Sequence, residues 1–250
     1  MAFEFAFASA CHSQQNWVWF PGWGFNAEVF TELAHGLPGQ HYWYRWGDEK
    51  HFDQAVDDLC QTLPDQAILV GWSLGGALAE AAAHHQPAPK ALITLATPDK
   101  FCRSPEWPYG MPHVRFEGFV NSLKQNPHKT QVRFLALNAQ GTDKPKSVIG
   151  LLSAHQLDAS EALLHQLLWL DQYDFTTMKK APCPCLHLFA EHDALVAPPH
   201  NHGQGHYELI AGAGHALFIH QPDIIRDHVL HLYRQLDHDL RSHPLRSANT

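Results

Sequence analysis

Residues Gly71-Trp72-Ser73-Leu74-Gly75 set a serine between two glycines, each two positions away. The run follows an apolar stretch, Ala67-Ile-Leu-Val70, and opens a helically spaced one, Leu74 to His85. Where a chain turns sharply from strand to helix, a serine at the turn stands exposed on a strained residue, and glycines two residues either side let neighbouring backbone pass without a Cβ clash. That geometry suits attack on a carbonyl carbon. The same five residues also occur as an ordinary glycine–serine turn, but the strand before and the helix after favour the nucleophile.

A serine hydroxyl is weakly nucleophilic at neutral pH, so it needs a base to take its proton and an acid to orient that base. The expected chain order for such a turn is Ser, then Asp or Glu, then His. Asp193 stands just past the apolar run Cys185 to Ala190, where a loop can aim a carboxylate inwards. Glu191 is a rival for that role, and turn capping is the bland alternative for Asp193. His215 lies in Gly212-Ala-Gly-His-Ala216, after the strand-like Tyr207 to Ile210, with small neighbours that leave its ring free. His220 is close in sequence but belongs to the approach to the last helix.

Acyl transfer also requires two preset N–H donors for the oxyanion. One is expected at Leu74, directly after the serine. The other is expected from the loop Pro21-Gly-Trp-Gly-Phe-Asn26, with Trp23 as donor and its indole as pocket wall; a packed turn residue is the alternative. His200, His202 and His206 could gather a transition metal, but their spacing matches no closed zinc pattern. No metal is expected on that ground, and because no G-x-G-x-x-G or Walker sequence occurs, no nucleotide or other cofactor is expected either.

These residues need a scaffold. The runs Trp17–Phe20, Ala67–Val70, Ala91–Ala96 and Cys185–Ala190 read as strands; Ala27–Leu37, Phe52–Leu63, Leu74–His85 and Ile224–Leu236 have helical spacing. Their alternation predicts an α/β fold with a mainly parallel sheet and helices on both faces. Almost ninety residues separate Ala96 from Cys185, too many for one crossover, so an inserted helical cap at about 100–182 is expected. Its helical stretches are Val114–Leu123, Thr130–Ala139 and Ser160–Trp169.

Length and composition agree. A chain of 250 residues fits one domain, 1–250. With 45% hydrophobic and 17% charged residues it is too apolar for disorder, and no window approaches a membrane span. A net charge of −8 without a Lys or Arg run argues against nucleic-acid binding. The five cysteines are odd in number, and Cys183 and Cys185 are too close for Cys-x-x-Cys pairing, which fits reduced thiols in a cytoplasm. Met1 to Ala10 is apolar but lacks a positive n-region and contains Glu4, so it is read as an edge strand with Phe3, Phe5 and Phe7 alternating on one face. The polar tail after about His238 is expected to fray.

Taken together, Phe20-Pro-Gly-Trp-Gly-Phe-Asn-Ala-Glu-Val-Phe30, Gly71-Trp-Ser-Leu-Gly-Gly76, Arg133-Phe-Leu-Ala-Leu137 and Gly214-His-Ala-Leu-Phe218 resemble the pimeloyl-[acyl-carrier protein] methyl ester esterases of biotin synthesis, which are α/β-hydrolases. The resemblance runs from about Trp17 to Leu236. It implies Ser73, Asp193 and His215 as a triad, with Trp23 and Leu74 at the substrate carbonyl. It also implies that Phe134, Leu135, Ala136, Leu137 and Asn138 line an acyl channel. Two departures stand out: Pro21-Gly22 replaces the usual His-Gly, and the usual Asp-x-Pro-Gly-x-Gly segment gives way to Gln40-His-Tyr-Trp-Tyr-Arg-Trp-Gly47, which still reads as a strand but reshapes one wall of the entrance.

Residues 101–150 hold seven basic side chains against three acidic ones, in a chain that is acidic overall. Arg115, Lys124, Lys129, Arg133 and Lys146 could steer an acidic carrier protein towards the pocket; a solvated mixed-charge surface is the alternative. The expected protein is a monomeric cytoplasmic serine carboxylesterase acting on a pimeloyl methyl ester held by acyl-carrier protein, and on small esters. The alternatives are a general short-chain carboxylesterase, a carbon–carbon bond hydrolase or lyase of the same fold, and a silent binding protein.

Overall fold

The computed structural model describes residues 2–9, 13–85, 87–197 and 206–242, so the His200-to-His206 side-chain cluster lies outside the described residues. Seven strands form one sheet: β1 Phe3–Ala8, β2 Asn16–Phe20, β3 Gln40–Tyr44, β4 Ile68–Trp72, β5 Ala91–Leu95, β6 Cys185–Ala190 and β7 His206–Ile210. Their spatial order is β1-β3-β2-β4-β5-β6-β7, and every pairing is parallel except β1 with β3. Strands β4 and β5 are buried along their whole length, as parallel strands covered on both faces must be.

Alternation along the strands divides the core. Val18, Phe20, Leu69 and Leu92 face one layer, which contains α2 (Phe52–Cys60) and α3 (Leu74–Ala83). Trp17, Trp19, Ile68, Val70, Ile93 and Leu95 face the other. That second layer holds a 3₁₀ turn (Ala27–Phe30), α1 (Thr31–His35), α8 (Leu217–His220) and α9 (Pro222–Ser242). Between β5 and β6 come α4 (His113–Gln125), α5 (Pro127–Ala139), α6 (Pro145–Ser153) and α7 (Glu161–Trp169). The Asn126 and Ser160 side chains accept from Lys129 N and Leu163 N, capping α5 and α7, and Pro127 starts α5 with its φ already helical.

Four elements depart from the expectations above. The single helix foreseen over Ala27–Leu37 is a 3₁₀ turn followed by one short helix. Helix α6 was not foreseen, because its buried positions, Val148 and Leu152, make only one i,i+4 pair. Helix α9 continues past His238 to Ser242, and the rest of the tail expected to fray, 243–250, lies outside the described residues. Finally, a bulge between Phe5 and Phe7 breaks the alternation in β1. Phe3 packs on Phe20 and Tyr44, whereas Phe7 crosses to the opposite layer and stacks on His41. One extra residue reverses every later side chain in a strand of period two.

His41 lies fully buried between Phe7, Trp17 and Trp19. Trp19 Nε1 donates to its Nδ1 at 3.1 Å, so Nδ1 must carry the lone pair and Nε2 the hydrogen, which points at Leu37 O, 3.2 Å away. Burial pushes its pKa down from 6.5 to about 4. The unfolded chain therefore binds a proton that the folded one refuses between those values, and stability is complete above pH 6.5 and falls as the pH drops towards 4. Between pH 7 and pH 5 this one group should remove roughly 2 kcal/mol. Urea unfolding at both pH values checks this: His41→Gln, which keeps an acceptor for Trp19, should lose about 2 kcal/mol less than wild type over the interval, and an equal loss in both would contradict the assignment.

Candidate active site

At the end of β4 the backbone of Ser73 adopts φ 55° and ψ −120°, a left-sided conformation rare for a residue with a side chain. Its surroundings enforce it. Ser73 N donates to Leu95 O at 2.9 Å, and Ser73 O accepts from Ala77 N at 3.1 Å and Thr97 Oγ1 at 3.2 Å. A Cβ on Gly71 would strike the backbone of Gly75 and Gly76, and one on Gly75 would strike the carbonyls of Phe20 and Pro21. Both flanking glycines are thus required by close backbone approach. Leu74 occupies the first position of α3, where a helix offers its N–H no acceptor of its own.

The loop after β6 carries Asp193. Its Oδ1 accepts from Leu195 N and Val196 N at 2.8 and 2.9 Å, and its Oδ2 lies 2.7 Å from His215 Nδ1. Both side chains are about 1% exposed. A carboxylate only accepts, so Nδ1 holds the hydrogen and Nε2 presents its lone pair. That Nε2 has no hydrogen-bond partner among the described residues. His215 is tied to the serine turn through Trp72, whose Nε1 donates to His215 O at 3.0 Å and whose ring lies 5.6 Å from the imidazole. The two rivals are engaged otherwise: Glu191 Oε2 accepts from Gly212 N at 2.8 Å, and His220 Nε2 meets Asp143 Oδ1 at 2.5 Å.

Ser73 opens into a cavity of about 220 Å³ between the sheet and the inserted helices. Trp23 walls it, held by its Nε1 bond to Leu163 O at 2.8 Å and by edge contacts with Phe119 and Phe134. Other lining residues are Phe101, Met111, Phe116, Leu167, Leu170 and Leu195, with Arg115 the one cation among the described residues. Of the run expected to line an acyl channel, Phe134 and Leu137 do so. The other three do not: Leu135 is packed into the second layer of the core, Ala136 is exposed, and Asn138 is buried with its Nδ2 on Phe134 O. A helix turns about 100° per residue, so five consecutive positions cannot face one cavity, whereas residues three apart can.

Arg115 and Lys124 stand on α4, Lys129 and Arg133 on α5 and Lys146 on α6; all five are exposed. Among the described residues Cys60, Cys102, Cys183 and Cys185 are free thiols, and no helix is long and apolar enough to cross a membrane.

A family model described as "Alpha/beta hydrolase family" matches residues 12–228. The pimeloyl-[acyl-carrier protein] methyl ester esterase of Shewanella oneidensis is 34% identical over 221 residues, 79% of this chain and 83% of that protein. The biotin biosynthesis bifunctional protein BioHC of Teredinibacter turnerae is 30% identical over 86% of this chain, which spans only 41% of that longer relative. Among solved structures, an esterase from Exiguobacterium antarcticum superposes with a TM-score of 0.80 at 16% identity, covering 93% of this chain and 94% of that one, a likeness of fold. By sequence, sheet order and the serine turn, this chain belongs to the alpha/beta hydrolase family, in the branch of the pimeloyl-[acyl-carrier protein] methyl ester esterases.

Proposed function

We propose that the chain is a cytoplasmic serine carboxylesterase that hydrolyses the methyl ester of a pimeloyl chain carried by acyl-carrier protein, freeing the carboxylate for biotin synthesis. In this reading one α/β-hydrolase domain spans the chain, and residues of about 100–182 act as its cap. The reading rests on the relatives' names and on one observation above all: a serine on a strained turn opens into an apolar cavity, while a buried Asp–His pair, tied to that turn through Trp72, keeps an imidazole nitrogen with no partner among the described residues.

Ser73 Oγ attacks the ester carbonyl and His215 Nε2 takes its proton. The oxyanion is held by the amides of Leu74 and Trp23. His215 then returns the proton to the departing methoxide, which leaves as methanol. A water, deprotonated by the same nitrogen, attacks the acyl-serine; the carboxylic acid is released and Ser73 regains its hydrogen. Asp193 stabilises the imidazolium in both halves. The apolar wall binds the acyl chain, each buried methylene contributing about 0.8 kcal/mol. The test is direct: the purified protein with pimeloyl-[acyl-carrier protein] methyl ester should release methanol and free carboxylate. Turnover of small esters without turnover of the carrier-bound one would favour a general short-chain carboxylesterase.

The exposed cations give a second test. Reversing Lys124 and Lys129 to Glu should lower kcat/KM for the carrier-bound ester by roughly tenfold at low salt, since steering of this kind changes association rates by about 10–10³. A p-nitrophenyl ester should be turned over as in wild type, and added salt should narrow the difference. Equal losses on both substrates would mean that the lysines support the fold instead.

A further inference from the structure

We infer that Cys102, His113 and Asp171 form a binding site for a zinc-class divalent cation that fastens together the two ends of the inserted helices. Their donor atoms all lie within 4.8 Å of one another, the one such group of three among the described residues. Cys102 belongs to the segment leading from β5, His113 is the first residue of α4, and Asp171 follows the end of α7. The set is mixed, with one thiol, one imidazole and one carboxylate, which is the donor chemistry of zinc and not of magnesium or calcium.

The geometry is nearly formed. Cys102 is buried, and bonds from Met111 N to Phe101 O and from Arg103 N to Met111 O fix its backbone beside the start of α4. His113 Nδ1 stands 3.7 Å from Asp171 Oδ1, and both of those side chains are exposed, so they can rotate. Ligands around zinc are separated by about 3.5 Å, given metal–ligand bonds of about 2.0–2.3 Å. Closing the remaining gap needs only those two side chains to move, and water can complete the tetrahedron. On binding, the Cys102 thiol releases its proton to solvent and the sulfur lone pair forms the metal bond.

Occupancy would reach the cavity through the chain itself. Phe101 precedes Cys102, Leu170 precedes Asp171, and Met111 stands two residues before His113; all three line the cavity into which Ser73 opens. A bound ion would therefore hold one wall of the pocket and restrain the inserted helices at their root, without touching the reacting atoms.

The test uses the full chain, stripped with a chelator and titrated with Zn²⁺ by calorimetry and with Co²⁺ by absorption. Because the chain holds 21 histidines, the titration is repeated with His200, His202 and His206 replaced by Gln. Expected are one tight ion per chain in both proteins, a rise in Tm with Zn²⁺, and a thiolate-to-cobalt charge-transfer band that Cys102→Ser removes. His113→Gln and Asp171→Asn, at exposed positions, should weaken binding by more than about tenfold, the scale on which even outer-sphere partners act, with the Tm of the metal-free protein unchanged. Absence of the thiolate band overturns the site, as does wild-type affinity in both exposed variants; the three residues are then an ordinary surface ion pair over a buried thiol.

Discussion

Ser73→Ala should lower turnover of any ester substrate by about 10⁴-fold or more while the protein stays folded. The size follows from triad residues acting as a unit: without the nucleophile, only the oxyanion donors and substrate binding remain to accelerate attack by water. Survival of the fold follows from the structure, since every bond named at Ser73 uses its backbone N–H or carbonyl, which alanine retains: to Leu95 O, Ala77 N and the Thr97 hydroxyl. Alanine also has no greater difficulty than serine at φ 55°. Rates with a p-nitrophenyl ester, thermal unfolding and labelling by a fluorophosphonate together check the prediction. A variant that still turns over within tenfold of wild type, or still takes the label, would remove Ser73 from the mechanism.

Asp193→Asn should lose nearly as much, by about 10⁴-fold in kcat, through a change of tautomer alone. The two oxygens of Asp193 have separate duties. Oδ1 receives the Leu195 and Val196 amides, and Oδ2 receives His215 Nδ1. An asparagine keeps its carbonyl oxygen on the two amides, because an NH₂ group there would face two donors. Its NH₂ must then point at Nδ1, forcing that nitrogen to accept and moving the hydrogen to Nε2. An imidazole protonated at Nε2 cannot take the serine proton. The side-chain volume and the turn are preserved, so Tm should stay near wild type, whereas Asp193→Ala should lower both rate and Tm. Retention of more than about a tenth of the activity in Asp193→Asn would show that His215 is oriented by something else.

Much of the site is legible along the chain because its requirements are local. A strained turn needs small neighbours, so Gly71 and Gly75 advertise Ser73, and the close approach of Phe20 and Pro21 carbonyls shows why. Asp193 and His215 each follow a strand end, and parallel strands deliver their carboxyl ends to one edge of the sheet. The Cys102, His113 and Asp171 group has no such signature. Its members are ten and more residues apart with no motif spacing, and only the folding-back of α7 towards α4 brings them together.

By itself the sequence determined which strand residues share a face, because the strand period is a local property of the backbone: Trp17 with Trp19, and Ile68 with Val70. It also determined the order of serine, acid and histidine. Which face meets which partner was decided only by the tertiary structure. A bulge sent Phe7 to the layer opposite Phe3. The rotation of α5 put Phe134 and Leu137 at the cavity and turned Leu135 into the core and Ala136 towards solvent. Closure of the aromatic layer made His41 a neutral core residue and not a solvated one. These outcomes depend on burial energies summed over residues far apart in the chain, and no local pattern records that sum.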